Sequence, residues 1–172
     1  LTAARKSGQR SLTQSNLRAL MTATAAFAQA NGCLPCPTPA ATVGPGFGRV
    51  RGDTATTACN GCATPEGIPP FVSLGLPPDT AHDGWGRWIS MRVDPALTAA
   101  ALGAVVPPTA PCTATDITNA TPTCAQANAS EKGMCRAGLS AANRVSVTVP
   151  GGAAQQAAVI FISYGAQGYG AF

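Results

Sequence analysis

Cysteine is the residue type in this chain whose number and spacing most suggest chemistry. Cys33-x-x-Cys36 and Cys59-x-x-Cys62 form two dyads, and Cys112, Cys124 and Cys135 follow, seven cysteines in 172 residues. Four thiolates spaced in this way match the ligand set of a zinc ribbon, which would place a metal on Cys33, Cys36, Cys59 and Cys62. The competing chemistry is oxidation. Pro35 sits inside the first dyad, three more cysteines follow, and the chain is poor in catalytic residues. These features favour structural disulfides in an oxidising compartment, with all seven cysteines as candidates and one at least lacking an intrachain partner. Loop closure suggests that the first four pair among themselves, a staple of about 3 kcal/mol per loop in the chain-entropy picture. Thioredoxin-like redox chemistry fits poorly, since that motif opens a helix after a strand whereas Cys33 follows a helix.

Other chemistry lacks its parts. The chain has one histidine, His82, in a turn beside Asp83. Ser73 and Ser163 have no evident base and no G-x-S-x-G elbow. Neither Gly44-Pro-Gly46-Phe-Gly48 nor Gly165-Ala-Gln-Gly168-Tyr-Gly170 sits between a strand and a helix, as a phosphate cradle requires. The seven Asp and Glu residues are scattered, so no carboxylate cluster offers calcium binding or acid–base work. The expectation is a protein that is not an enzyme and has no cofactor. Arg5, Lys6 and Arg10 are not interleaved with aromatic residues, and nucleic acid is not an expected partner.

The elements that carry these residues follow from pattern. From Ser11 to Asn31 the spacing predicts one amphipathic helix. At about 100° per residue Leu17, Leu20, Met21, Thr24, Phe27 and Ala28 share a stripe of roughly 120°, predicted to pack on a sheet. Lys6 and Arg10 prolong that stripe as a basic surface, so only the C-terminal part of the helix is expected in the core. Asn31-Gly32 and then Pro35 and Pro37 end it. Thr38–Thr64 has neither period and reads as a long surface loop anchored by the two dyads. Gly67–Leu76, apolar but broken by prolines, suits an edge strand or extended segment. Trp88–Val93 alternates as a half-buried strand, and Asp94-Pro95 caps a short Ala-rich helix. Val105–Gly138 reads as a second stapled loop region, in which Asn119 and Asn128 match the glycosylation pattern as expected by chance. Arg144–Val149 alternates strictly, and the continuously apolar Ala157–Tyr164 is expected at the centre of the sheet. A single α+β domain results, with residues 1–32 as helix and stalk and 33–172 as a globular head on an antiparallel sheet of three to four strands. Only 10% of residues are charged, against roughly a quarter in an average domain, so ion pairs contribute little.

The order of these elements resembles the head of a type IV pilin or type II secretion pseudopilin. The resemblance lies in the helix running into Gly32-Cys-Leu-Pro-Cys-Pro37, in Gly67-Ile-Pro-Pro70 and Leu74-Gly-Leu76, in Asp83-Gly-Trp-Gly-Arg87 before a strand, and in Ile162-Ser-Tyr-Gly-Ala-Gln-Gly168 after the last one. It implies a structural subunit of a bacterial filament, made as a prepilin, cleaved and methylated. An apolar half-helix would precede Leu1, anchoring the chain in the inner membrane before assembly. It also implies other pilin-like subunits as partners in a homo- or hetero-oligomer, and a periplasmic or cell-surface location. Ala166-Gln167 stands where secretion pseudopilins carry acidic calcium ligands, so no calcium is expected. The rival expectation is a secreted disulfide-rich binding or adhesin module in which the helix is ordinary core.

Overall fold

The computed structural model describes residues 3–54, 59–98, 145–148 and 151–168. The predicted Ala-rich helix beyond Thr98, the predicted loop region Val105–Gly138 with Cys112, Cys124 and Cys135, and Asn119 and Asn128 lie outside these residues.

The first element, α1 (Ala3–Asn31, 29 residues), begins eight residues before the predicted helix start at Ser11. It is rich in alanine, the best helix former, and a rise of about 1.5 Å per residue makes it about 43 Å long. It closes as its residues predict. Gly32 adopts φ +74° and its N–H reaches Ala28 O at 2.8 Å, while the Asn31 side chain donates to Phe27 O at 2.9 Å.

Five strands are described: β1 (Glu66–Gly67), β2 (Ser90–Val93), β3 (Val145–Val147), β4 (Gln155–Ala157) and β5 (Val159–Ile162). β1, β2 and β5 form an antiparallel three-stranded sheet in the order β1-β2-β5, and β3 pairs with β4. The chain is thus an α+β fold with a long N-terminal helix and an antiparallel sheet. The centre of the sheet is β2, whose Met91 faces Gly67 on one side and Phe161 on the other. The expectation for Ala157–Tyr164 is corrected accordingly. The segment changes partner at Ala158, pairing with β3 before it and β2 after it, and β5 is an outer strand among the described residues. Its apolar run has a different cause from central burial. Val159 and Phe161 pack on the core of Leu34, Met91, Val93 and Leu97, while Ile160 and Ile162 line a groove on the opposite face.

Ala28 and Cys62 close that core from the helix and loop sides. A second core of Ile68, Phe71 and Ala81 is roofed by Phe47, Leu76 and Trp88. There Phe47 meets Trp88 edge-on at 5.4 Å and Phe71 stacks on it at 6.1 Å. The two cores are joined by extended proline-rich segments. Thr38 and Ile68 exchange both backbone hydrogen bonds at 2.9 Å, and Pro35, Pro37, Pro69 and Pro70 are fully buried around them.

Disulfides Cys33–Cys59 and Cys36–Cys62 join the two dyads in parallel order. The first four cysteines pair among themselves, as loop closure suggests. The zinc alternative on Cys33, Cys36, Cys59 and Cys62 is corrected here, because a sulfur in a disulfide is not a thiolate ligand. The staple holds the end of α1 against the loop, with Asn31 O 3.1 Å from Cys59 Sγ.

Candidate functional site

The helix face that meets the head differs from the apolar stripe. Leu20 and Thr24 are buried and Leu17, Phe27 and Ala28 half-buried, but Met21 is 62% exposed. The placement of Met21 in the packing face is therefore corrected. The true face is rotated away from Met21 and runs through Gln9, Thr13, Asn16, Leu20, Thr24 and Phe27, all within about 80° at about 100° per residue. Its lower half is polar.

That polar half is read by the turn Asp83-Gly-Trp-Gly-Arg87. Gly84 N–H donates to Thr13 Oγ1 at 2.8 Å, and Thr13 Oγ1 donates back to Gln9 O at 2.8 Å. Asn16 Nδ2 donates to His82 O at 2.8 Å and to Asp79 O at 3.1 Å. A Cβ on Gly84 would fall on the carbonyl of Gln9. The turn approaches the helix backbone closely because position 84 carries no side chain.

The same turn holds the end of the sheet. Asp83, only 3% exposed, accepts from Trp85 N–H at 2.9 Å and Arg87 N–H at 3.0 Å through Oδ1. Its Oδ2 accepts from Ser163 Oγ at 2.8 Å. Three donors compensate the burial of this carboxyl group. Ser163 Oγ in turn accepts from Gly165 N–H at 3.2 Å, and Arg87 Nη1 donates to Gly165 O. Gly168, at φ +67°, lies where any Cβ would enter the Arg87 guanidinium. One turn thereby ties α1 to the loop that follows β5.

The contacts of this constellation shown above position backbone. A serine on a carboxylate is part of a nucleophile, but the carboxylate is occupied by two amides and a base is needed. His82, the chain's one imidazole, has Nδ1 at 3.1 Å from Pro78 O and its ring 3.8 Å from that of Trp88. Among the described residues no group of three or more His, Cys, Asp or Glu is arranged to hold a metal ion.

On the outer face of the sheet Glu66, Ser90, Arg92, Val145, Ile162 and Tyr164 border a groove of about 460 Å³. Arg92 pairs there with Glu66, and Ser90 Oγ has no hydrogen-bond partner among the described residues. The other exposed feature is α1 itself, whose positions 3–8 are exposed throughout. No described helix is long and apolar enough to cross a membrane.

No protein-family model matches the chain, and neither a curated protein nor a solved structure does.

Proposed function

We propose that this chain is a structural subunit of a bacterial type IV pilus-like or type II secretion filament, working through its surfaces. The observation that carries the reading is the division of labour along α1. From Gln9 to Ala28 one face of the helix is committed to its own head through Gly84, Leu20 and the Leu34 core. From Ala3 to Gly8 every position is exposed. A helix of about 43 Å that uses its upper two-thirds as scaffold has its lower end available to other subunits and to a preceding membrane segment. The two disulfides suit a periplasmic or surface location, where such bonds persist. The Asp83 turn gives the head a fixed bearing on the helix, which a subunit needs if helix contacts are to place heads regularly on a filament surface.

The test uses the full-length gene in its own host. Cells are sheared, the high-molecular-mass fraction is collected, and an antibody against the head locates the chain. Recovery in fibres is expected. A chain found wholly as a free monomer in the periplasm or medium refutes the proposal and favours a secreted binding module, for which the outer-face groove would be the first place to look.

A further inference from the structure

The charge of this protein is concentrated in one element. α1 holds Arg5, Lys6, Arg10 and Arg18 and no Asp or Glu, so it accounts for the whole formal charge of +4, the other seven basic residues being matched by the seven acidic ones. Arg5, Lys6 and Arg10 are exposed. The ion pairs among the described residues, Arg51–Asp53 and Arg92–Glu66, lie elsewhere.

We propose that Arg5, Lys6 and Arg10 form a collar that binds the phosphates of an anionic phospholipid surface, the helix entering the headgroup layer end-on. Three features select this partner. Between Ala3 and Ser11 no apolar side chain is larger than alanine, so the segment has no greasy face with which to lie in the plane of the interface. No aromatic residue precedes Phe27 in α1, so the stacking platforms of a single-stranded nucleic-acid site are missing. Finally, Arg5 to Arg10 rises about 7.5 Å along the axis, close to the roughly 5–7 Å of one headgroup layer. Long basic side chains reach phosphates over that span while the backbone stays fixed. Because the rest of the chain is neutral overall, its field turns this end of the helix toward an anionic surface. The inference rests on the filament reading only for the direction in which the helix continues.

The experiment uses the 172-residue chain with its disulfides intact, cosedimented with vesicles of equal parts phosphatidylglycerol and phosphatidylcholine, or of phosphatidylcholine alone. Binding is expected to the anionic vesicles only, and to weaken at least tenfold as salt rises from about 10 mM to about 150 mM, where the Debye length falls to about 8 Å. At about fivefold per cation, the triple variant R5Q/K6Q/R10Q should bind about a hundredfold more weakly with its circular dichroism unchanged. Arg49→Gln, a cation of the head, should bind as the parent does. Absence of binding to anionic vesicles at low salt, equal binding to both compositions, or a triple variant that binds like the parent overturns the proposal. So does binding to duplex DNA with the same dependence on these three residues but without vesicle binding. None of these outcomes alters whether the full-length protein is found in sheared fibres, so the two readings fail separately.

Discussion

Replacing Asp83 tests whether the turn is the joint between helix and sheet. Asp83→Ala removes the acceptor of three donors, Trp85 N–H, Arg87 N–H and Ser163 Oγ. Hydrogen bonds to a charged group are worth about 1.5–3 kcal/mol each, but Trp85, Arg87 and Ser163 are half-buried, so water recovers part of the loss. About 3–4 kcal/mol is the expected cost, or about 10 °C in melting temperature for a chain of this size. Asp83→Asn is the informative companion. Its carbonyl oxygen can accept from both amides, and its Nδ2 can donate to Ser163 Oγ, which the present arrangement uses as donor and acceptor. The amide should therefore cost only about 1 kcal/mol. In a double-mutant cycle, Ser163→Ala alone should cost about 1 kcal/mol, and its coupling to Asp83→Ala should be close to that whole amount, about 1 kcal/mol, because the two share one contact. Urea unfolding of the oxidised protein, followed by the fluorescence of Trp85 and Trp88, reads all four. An Asp83→Ala cost below about 0.5 kcal/mol, within the range of ordinary surface changes, would refute the joint. A coupling of zero would place Ser163 outside it.

The helix face predicts a contrast one residue apart: Leu20→Ala should lose about 3 kcal/mol, whereas Met21→Lys should stay within about 0.5 kcal/mol in the same urea assay. Gly84→Ala must push the turn off the Gln9 carbonyl, and about 2–3 kcal/mol of destabilisation is expected. Gly8→Ala, in a helix with open space around it, should stabilise by up to about 1 kcal/mol; thermal melts of the pair decide both. Thr24 Oγ1 is buried without a hydrogen-bond partner among the described residues, so Thr24→Val should raise stability by about 1 kcal/mol in denaturant titration. Alkylation of the unreduced, denatured protein should label at most Cys112, Cys124 and Cys135, and a mass showing four or more adducts would contradict the two bridges.

Apolar periodicity made α1 legible, together with its end at Gly32 and the burial of Leu20, Thr24, Phe27 and Ala28. It also misplaced Met21 and missed the contribution of Gln9, Thr13 and Asn16, since polar residues carry no weight in an apolar stripe. The signal that could have found them lay in the turn. Asp83-Gly-Trp-Gly-Arg87 stood out as a motif, but the pairing of Gly84 with Thr13 is set by tertiary approach, which local spacing does not encode. For the sheet, the alternation in β2 and β3 was readable, while the change of partner at Ala158 was not, because a continuous apolar run reads alike in an inner strand and in one lining a groove. Disulfide order lies between these cases: spacing could name the four cysteines but not their connectivity.

The polar half of the helix face has a consequence for assembly. An Ala- and Thr-rich helix could slide one turn, about 5.4 Å, along its own head at little cost in apolar burial, since few large side chains mark its position. Leu20 resists such a slip, and so do the hydrogen bonds from Gly84 to Thr13 and from Asn16 to His82 and Asp79, which are made in one register only. Polar contacts of this kind, partly buried or exposed, add modest stability and positional selectivity. On the proposed reading, the register that Thr13 and Asn16 fix also sets the height of the head above the Arg5, Lys6 and Arg10 collar. A Thr13→Val, Asn16→Leu double variant should accordingly keep its disulfides and much of its stability while losing a unique head position. Amide exchange at Gly84 should rise by at least tenfold in that variant, and exchange there as slow as in the parent would show that Leu20 and the staple hold the register without the polar face.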